Sequence, residues 1–157
     1  HDLVCYTMVH RRIHLRILSN LLFTLDRGFI MGLDQYATAR RGEAKTDDEG
    51  FTYYEDSMEL AYWRKHPNLQ GWMEAQWEQK GRPSDGGDGF NCVDLQLTEY
   101  DLIALEEALD EKNLPETSGF FFGGDADDHY AEADREFIVQ ARAAIKQGYT
   151  VIYSSWW

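Results

Sequence analysis

The stretch MELAYWRKHPNLQGWMEAQWEQKG, residues 58–81, joins a strand pattern directly to a helix pattern. Its first six residues alternate in character, which is the period-two pattern of a half-buried strand, with Met58, Leu60 and Tyr62 on one side and Glu59, Ala61 and Trp63 on the other. A strand that feeds directly into an amphipathic helix requires that helix to pack on a sheet. This junction therefore predicts a layered structure of helices and strands.

The second half of the stretch has the spacing of an amphipathic helix. Leu69, Trp72, Met73 and Trp77 fall on one apolar stripe. Pro67 suits a first helical turn, where a missing N–H costs nothing, and Gly81 suits the end. The sequence predicts a helix over residues 67–80.

The rest of the chain repeats this alternation of short strands and helices. Helices are predicted after the N-cap Thr98 and from Tyr130 to a left-handed cap at Gly148. Strands are predicted over 33–38, 51–55, 58–65, 93–97, 118–124 and 149–154. We expect an α+β fold with about three helices packed on a mainly antiparallel sheet of four to six short strands, formed by residues 31–157 as a single domain.

The chain is strongly acidic, with a formal net charge of −13 and a pI near 4.6. Non-specific nucleic-acid binding needs a basic surface that displaces counterions from phosphates, so direct nucleic-acid binding is not expected. The two cysteines, Cys5 and Cys92, are too few for a disulfide framework, and they favour a reducing compartment. No apolar run approaches the roughly 20 residues of a membrane-spanning helix.

Residues 1–30 differ from the remainder of the chain. They contain four arginines and two aspartates and so carry +2, which leaves −15 on residues 31–157. One interpretation is an extension upstream of a native start at Met31. The other is a basic helical arm, because aliphatic residues between Ile13 and Leu25 would form an apolar face.

Four short motifs resemble one family of small proteins. MGLDQY at 31–36, AYWRK at 61–65, SGFFFG at 118–123 and the terminal YSSWW are similar to a family of uncharacterised proteins of tailed bacteriophages and some bacteria. Some members carry the label phosphoglycerate kinase, but this chain is short for such an enzyme and has no GxxxxGK[ST] loop. The resemblance implies a phage origin and a start at Met31, and it implies no catalytic residue.

One compact cationic group, Arg64, Lys65 and His66, lies where the predicted strand becomes a helix. At a helix N-terminus such a group predicts a site for an anionic ligand, a phosphate or a carboxylate. The alternative is structural. Arg64 and Lys65 would then pair with acids at the sheet edge, and His66 would flank the first helical turn.

A second candidate site is the segment GGDADDH at 123–129. Asp125, Asp127, Asp128 and His129 would supply oxygen and imidazole ligands to a divalent metal, the one cofactor that the sequence suggests. The alternative is that these side chains cap the helix that begins near Tyr130 and meet the positive end of its dipole. The calcium-loop spacing is absent from the segment.

The terminal tryptophans Trp156 and Trp157 are candidates for an interaction patch, because adjacent residues on a strand point to opposite faces. Cys92 with His66 or His129 is a further candidate for a nucleophile and base. A lone cysteine that opens an apolar strand is more often a small buried side chain.

Three functions remain open. The first is a small acidic phage accessory protein that binds and modulates a host protein in the bacterial cytoplasm, with carboxylates placed where a nucleic-acid-binding surface expects phosphates. The second is a small enzyme or ligand-binding protein with an aromatic pocket and an anion site near Arg64 and His66. The third is a minor virion or assembly protein. Whether the chain is an enzyme is left open, with a non-enzymatic role favoured.

Overall fold

The computed structural model describes residues 32–119 and 127–157. In chain order its elements are β1 (Asp34–Arg41), β2 (Lys45–Thr46), β3 (Thr52–Tyr53), β4 (Asp56–Arg64), α1 (Pro67–Gln79), β5 (Leu95–Leu97), α2 (Glu99–Asp110), α3 (Asp127–Lys146) and β6 (Thr150–Trp156). Within these residues the fold therefore contains three helices and six strands.

Four of the strands form one antiparallel sheet, in the order β4–β1–β6–β5. The remaining two, β2 and β3, pair as a small separate hairpin. The α+β prediction, with three helices on a mainly antiparallel sheet, is confirmed.

The hydrophobic core lies on one face of the large sheet. Pairing places Ala37 opposite Tyr153 and Ala39 opposite Val151, and all four side chains are fully buried. The core also contains apolar side chains of the three helices, namely Leu69, Trp72, Met73, Trp77, Leu102, Leu105, Phe137, Ile138, Ala141 and Ala144. The helices therefore cover this core face, and the opposite side of the sheet is called the outer face below.

Helix α1 forms as its spacing predicts. Leu69, Met73 and Trp77 are fully buried and Trp72 nearly so, while Pro67 occupies the first turn. The ring of Trp77 packs against Phe90, 5.2 Å between ring centroids. Burial of an aromatic or aliphatic side chain stabilises by about 1.5–3 kcal/mol, so this stripe is a large part of the energy that holds α1 on the sheet.

Strand β4 forms where it is predicted, but its alternation is interrupted. Ala61 of β4 pairs with Ala37 of β1, but the next residue of β1, Thr38, pairs with Glu59. Leu60 is therefore an extra residue of β4 that has no partner position on β1. A bulge of this kind moves the following side chains to the other face. Met58 and Tyr62 therefore do not share a face as the sequence pattern suggested, and the side chain that enters the core is Trp63, 1% exposed.

Two predicted helix ends agree with the structure, whereas α3 begins at Asp127, three residues before the predicted start at Tyr130. Thr98 is the N-cap of α2 and forms a capping box with Asp101. Gly148 has a φ of 83°, the left-handed conformation expected after a helix, and its N–H donates to the carbonyl of Ile145.

Two predicted segments lie wholly or partly outside the described residues. Of the strand predicted at 118–124, Ser118 and Gly119 are not in a strand and the rest lies outside the described residues, as does the extension at 1–30. Within 32–119 and 127–157, no helix has the length and apolar character needed to cross a bilayer.

Candidate functional site

The turn between β4 and α1 directs consecutive side chains to opposite sides of the sheet. Lys65 takes a left-handed conformation with φ 59°, and its N–H donates to the carbonyl of Leu33 at 2.8 Å. This conformation is uncommon for a residue with a side chain. It leaves Arg64 at the surface while His66 enters the core, where it is fully buried.

His66 meets a buried carboxylate from α3. Its Nε2 atom lies 2.8 Å from Oδ2 of Asp134, and the indole Nε1–H of Trp63 donates to the other carboxylate oxygen at 2.8 Å. Asp134 is 1% exposed. Because burying a carboxylate without partners is very costly, these two contacts are what allow Asp134 to sit inside the protein.

The backbone of His66 is held by Gln35 of β1. The side chain of Gln35 accepts from the N–H of His66 at 2.9 Å and donates to its carbonyl at 3.1 Å. It also donates to the hydroxyl of Tyr153 at 2.9 Å. One buried amide thus connects the centre of the sheet to the start of α1.

The same network continues along β6. The hydroxyl of Tyr153 donates to Oε1 of Gln70 at 2.5 Å, and the amide of Gln70 donates to Oγ of Ser155 at 2.9 Å. Tyr153, Gln70 and Ser155 are all buried. Desolvation raises the pKa of Tyr153 far above its ordinary value, so the phenol remains a hydrogen-bond donor. We call Gln35, Trp63, His66, Gln70, Asp134, Tyr153 and Ser155 the buried polar network.

Tyr130, in the first turn of α3, packs against one face of the His66 ring. The two rings are stacked with centroids 4.7 Å apart and planes inclined by 18°. The hydroxyl of Tyr130 donates to the carbonyl of Arg64. The imidazole is therefore enclosed between helix α3 and the large sheet.

The structure separates the three side chains of the predicted anion site. The guanidinium of Arg64 lies 3.5 Å from Asp34 on the outer face, His66 points into the core, and the backbone of Lys65 forms the turn between them. The contact between Arg64 and an acid agrees with the structural alternative. Anion binding by these residues stays a prediction.

Three of the four predicted metal ligands, Asp127, Asp128 and His129, are the first residues of α3. Asp128 and His129 are exposed, and Asp125 lies outside the described residues. In the part of the chain that the structure describes, no group of three or more His, Cys, Asp or Glu side chains is arranged to hold a metal ion. Because Asp125 is not described, the metal site stays a prediction.

The two terminal tryptophans lie on different sides, as strand alternation predicts. Trp156 ends β6 opposite Asp34, and Trp157 packs against the core, with its backbone held by Asn91. Both are half-buried. Cys92 is exposed, so the expectation of a small buried side chain is wrong. The nucleophile hypothesis and the reducing compartment stay predictions.

Sequence reasoning missed the partners of His66. A usable signal was present for Asp134, because it falls on the apolar stripe of α3 with Tyr130, Phe137, Ile138 and Ala141. An acidic residue in the middle of such a stripe must be buried with a partner. Gln35 and Gln70 carried no such signal, because a single amide beside apolar residues is common at a surface.

The packed pair of α2 and α3 presents a second feature, a charged surface. Arg142 of α3 donates to Glu99 at 2.9 Å and to Glu106 at 2.8 Å, and Arg135 donates to Asp110 at 2.7 Å. These contacts show that the two helices run antiparallel, and they form a seam of ion pairs. A hydrogen bond from Arg142 lowers the pKa of Glu106, which therefore stays ionised at neutral pH.

Carboxylates continue on both sides of this seam. On the exposed surface of α2 lies Glu107, and on that of α3 lie Glu132 and Glu136. We call the surface formed by Glu99, Tyr100, Ile103, Glu106, Glu107, Asp110, Glu132, Arg135, Glu136, Val139 and Arg142 the α2–α3 face. Two arginines stand against six carboxylates on this face, which is therefore net acidic.

Comparisons of the chain with protein-family models, with curated proteins and with solved structures give no match. The case for a function therefore rests on the residues and on the geometry described above.

Proposed function

We propose that this protein is a small acidic accessory protein that binds and modulates a partner with a basic surface, by presenting carboxylates where that partner expects phosphates. The resemblance of its motifs to phage proteins makes a host protein the proposed partner. A folded carboxylate surface of this kind competes with nucleic acid because it satisfies the same arginine and lysine side chains.

The proposal is supported by the fact that most of the described lysine and arginine side chains are paired with acids of the same chain. Eight of the lysines and arginines in the described residues form ion pairs within the chain, namely Arg40, Arg41, Lys45, Arg64, Lys80, Arg82, Arg135 and Arg142. They are thereby neutralised by the protein's own acids. The field outside the molecule is that of the excess carboxylates, which repels nucleic acid and attracts basic proteins.

The interior supports a binding role in a different way. The most unusual chemistry of the chain, the pair of His66 and Asp134, is 0% and 1% exposed. A general base must lie within hydrogen-bonding reach of a substrate, which this enclosed imidazole does not. The pair instead links α3 to the junction of β4 and α1, and a charged surface that is held in place before binding loses less entropy on binding.

The test is affinity capture from bacterial lysate on the immobilised chain at low salt, followed by elution with salt and, separately, with double-stranded DNA. We expect retained proteins of basic pI that DNA releases, because both ligands use the same cationic surface. An unrelated globular protein of equal negative charge serves as the control matrix. Retention of the same proteins on both matrices, or release by salt alone and never by DNA, would contradict the proposal.

A further inference from the structure

The α2–α3 face carries exposed apolar side chains as well as acids. Tyr100 is 84% exposed, Ile103 40% and Val139 67%, and all three lie on these two helices. Among the six large hydrophobic side chains that are exposed in the described residues, the other three are Tyr53, Met58 and Tyr62 of the strands. Half of them are thus concentrated on one surface.

The apolar side chains flank the seam of ion pairs. On α2, Ile103 lies four residues after Glu99 and three before Glu106, which places it beside these two carboxylates. On α3, Val139 lies four residues after Arg135 and three before Arg142. The two aliphatic side chains therefore stand on either side of a line of paired charges.

A rim of carboxylates surrounds this centre. Tyr100 and Glu107 continue the exposed stripe of α2 beyond Ile103, and Glu132 and Glu136 continue that of α3 beyond Val139. This centre is the seam of ion pairs with one exposed aliphatic side chain on each side, and aliphatic contacts within a charged rim are common in protein interfaces. The seam itself is held by Arg142, which bridges two carboxylates of α2, so the surface is already formed before a partner arrives.

We infer that the α2–α3 face is the docking surface for a cationic amphipathic helix of the partner protein, lying along the seam with its apolar side on Ile103, Val139 and Tyr100. This inference rests on the proposed function and specifies its partner. Lysine and arginine side chains that flank the apolar stripe of the partner helix reach Glu107 on one side and Glu132 and Glu136 on the other. The twelve residues of α2 give a platform about 18 Å long, enough for roughly three turns of partner helix.

Charge excludes a second copy of this chain as the occupant. A symmetric pairing would bring the acidic rims of two chains of net charge −13 together, and like charges across an interface are strongly unfavourable. A neutral apolar helix would leave the rim without partners. A cationic amphipathic helix satisfies the exposed aliphatic side chains and the carboxylates together.

The probe is a fluorescently labelled synthetic helix with leucines on one side and lysines and arginines on the other, titrated with the full chain by anisotropy. A scrambled peptide of equal composition has the same charge but no apolar side. We expect the amphipathic peptide to bind at least about tenfold more tightly than the scrambled one, because only it fills the apolar centre. Equal affinity for the two peptides would overturn the inference.

Matched variants locate the binding surface. The double variant Ile103→Ser with Val139→Ser is expected to weaken peptide binding about tenfold, whereas Met58→Ser, which removes a side chain of equal 40% exposure on β4, leaves it unchanged. Neutralising Glu107 and Glu136 to glutamine is expected to weaken binding more than neutralising Glu43 and Asp88, which lie in exposed loops. Circular dichroism verifies that each variant is folded.

Different results would refute the proposed function and the docking surface. If both peptides bind equally, and the remote and local variants lose the same affinity, binding depends on total charge alone; the proposed function stands and the docking surface is refuted. If the amphipathic peptide binds at the α2–α3 face but no basic protein is released from the lysate column by DNA, the surface stands and nucleic-acid mimicry is refuted.

Discussion

The imidazole of His66 and the carboxylate of Asp134 lie 2.8 Å apart, with neither side chain reaching solvent. His66 is the N-cap of α1 and Asp134 belongs to α3, so this contact joins the start of one helix to another that is distant in sequence. Trp63 donates to the same carboxylate from β4. A single aspartate thus fixes the position of α3 over the junction of strand and helix, and through α3 it fixes one half of the acidic α2–α3 face.

Replacing this aspartate should cost more stability than any surface change. Asp134→Ala removes the carboxylate that the Trp63 indole and the His66 imidazole both contact, and these two buried polar groups lose that partner. Breaking a buried pair in this way costs about 3–5 kcal/mol, measurable as a lower free energy of unfolding in urea. Asp110→Ala, which removes an exposed partner of Arg135, should cost less than about 1 kcal/mol.

The double variant tests whether the cost belongs to the pair. In His66→Phe the aromatic ring is kept against Tyr130 while its polar atoms are lost. Combined with Asp134→Leu, it replaces the pair by apolar groups, so the double variant should be more stable than the sum of the two single effects predicts. Strict additivity of the two single losses would show that the residues act independently.

Position 71 of α1 requires a glycine because the chain segment at Thr117 packs against it. A Cβ at this position would lie 1.9 Å from Oγ1 of Thr117, whose backbone N–H donates to Asn68 of the same helix at 2.9 Å. Although alanine is the better helix former by about 1 kcal/mol, overpacking costs about 1–3 kcal/mol, so Gly71→Ala should be destabilising in thermal unfolding.

Two companion variants make the Gly71 result specific. Thr117→Ala removes the hydroxyl that clashes, and should recover part of the loss when combined with Gly71→Ala. Gly86→Ala adds a methyl group in a loop where no atom lies within 4 Å, and it should be neutral or slightly stabilising. A loss at Gly86 as large as that at Gly71 would argue against the steric explanation.

The sequence predicted the architecture because the architecture depends on periodicity. The stripe of α1 and the capping box at Thr98 are local patterns, and both are present in the structure. The phase of β4 was missed because the bulge at Leu60 depends on pairing with β1, a contact between distant residues. The partners of His66 were missed for the same reason, since Gln35 and Asp134 are separated from it by 31 and 68 residues.

The candidate site was less predictable than the fold. The sequence grouped Arg64 and His66 because they are close in the chain, and residues two apart in a regular strand share a face. The strand ends at Arg64, however, and the left-handed turn at Lys65 sends His66 into the core. The α2–α3 face needs the antiparallel packing of two helices, which ion pairs from Arg142 reveal and sequence does not. Local composition gave the charge of this surface, and only the fold gave its arrangement.

Tyrosines whose pKa is raised in the folded state should make the fold sensitive to alkali. Burial and a 2.6 Å hydrogen bond to Asp34 raise the pKa of Tyr62 to about 12, and desolvation also raises that of Tyr36 and Tyr153. The folded state therefore favours the neutral phenols. For Tyr62 this contribution is complete below pH about 10, the ordinary tyrosine pKa, and is lost as the pH rises through about 12.

The measurement is the free energy of unfolding between pH 9 and pH 11, together with tyrosinate absorbance. Stability should fall with pH across this window, and Tyr62→Phe should make the fall shallower because one phenol with a raised pKa no longer titrates. Tyr100→Phe, which alters a tyrosine that is 84% exposed, is the matched control. A slope that Tyr62→Phe leaves as steep as in the parent chain would contradict the assignment.

The stability of the fold at acid pH should depend on Asp101, which joins α2 to the end of α1. One carboxylate oxygen accepts from the N–H and hydroxyl of Thr98 at 2.7 and 2.8 Å and from Lys80 at 2.6 Å. Burial alone would raise the pKa of Asp101, but these hydrogen bonds outweigh it and lower the pKa. A lowered pKa in the folded state gives stability that is present above the ordinary aspartate range and is lost as the pH falls through the lowered value.

Asp101→Asn should therefore be costly only while the parent carboxylate is ionised. Near neutral pH, loss of the charged cap should reduce the free energy of unfolding by about 1–2 kcal/mol, and the difference should shrink as the pH falls below about 4. Lys80→Met should reproduce part of the loss with the same pH dependence, because it removes the cation but leaves Thr98 in place. Urea unfolding at a series of pH values measures both variants, and a cost that stays constant from neutral to acid pH would show that the Asp101 charge does not contribute.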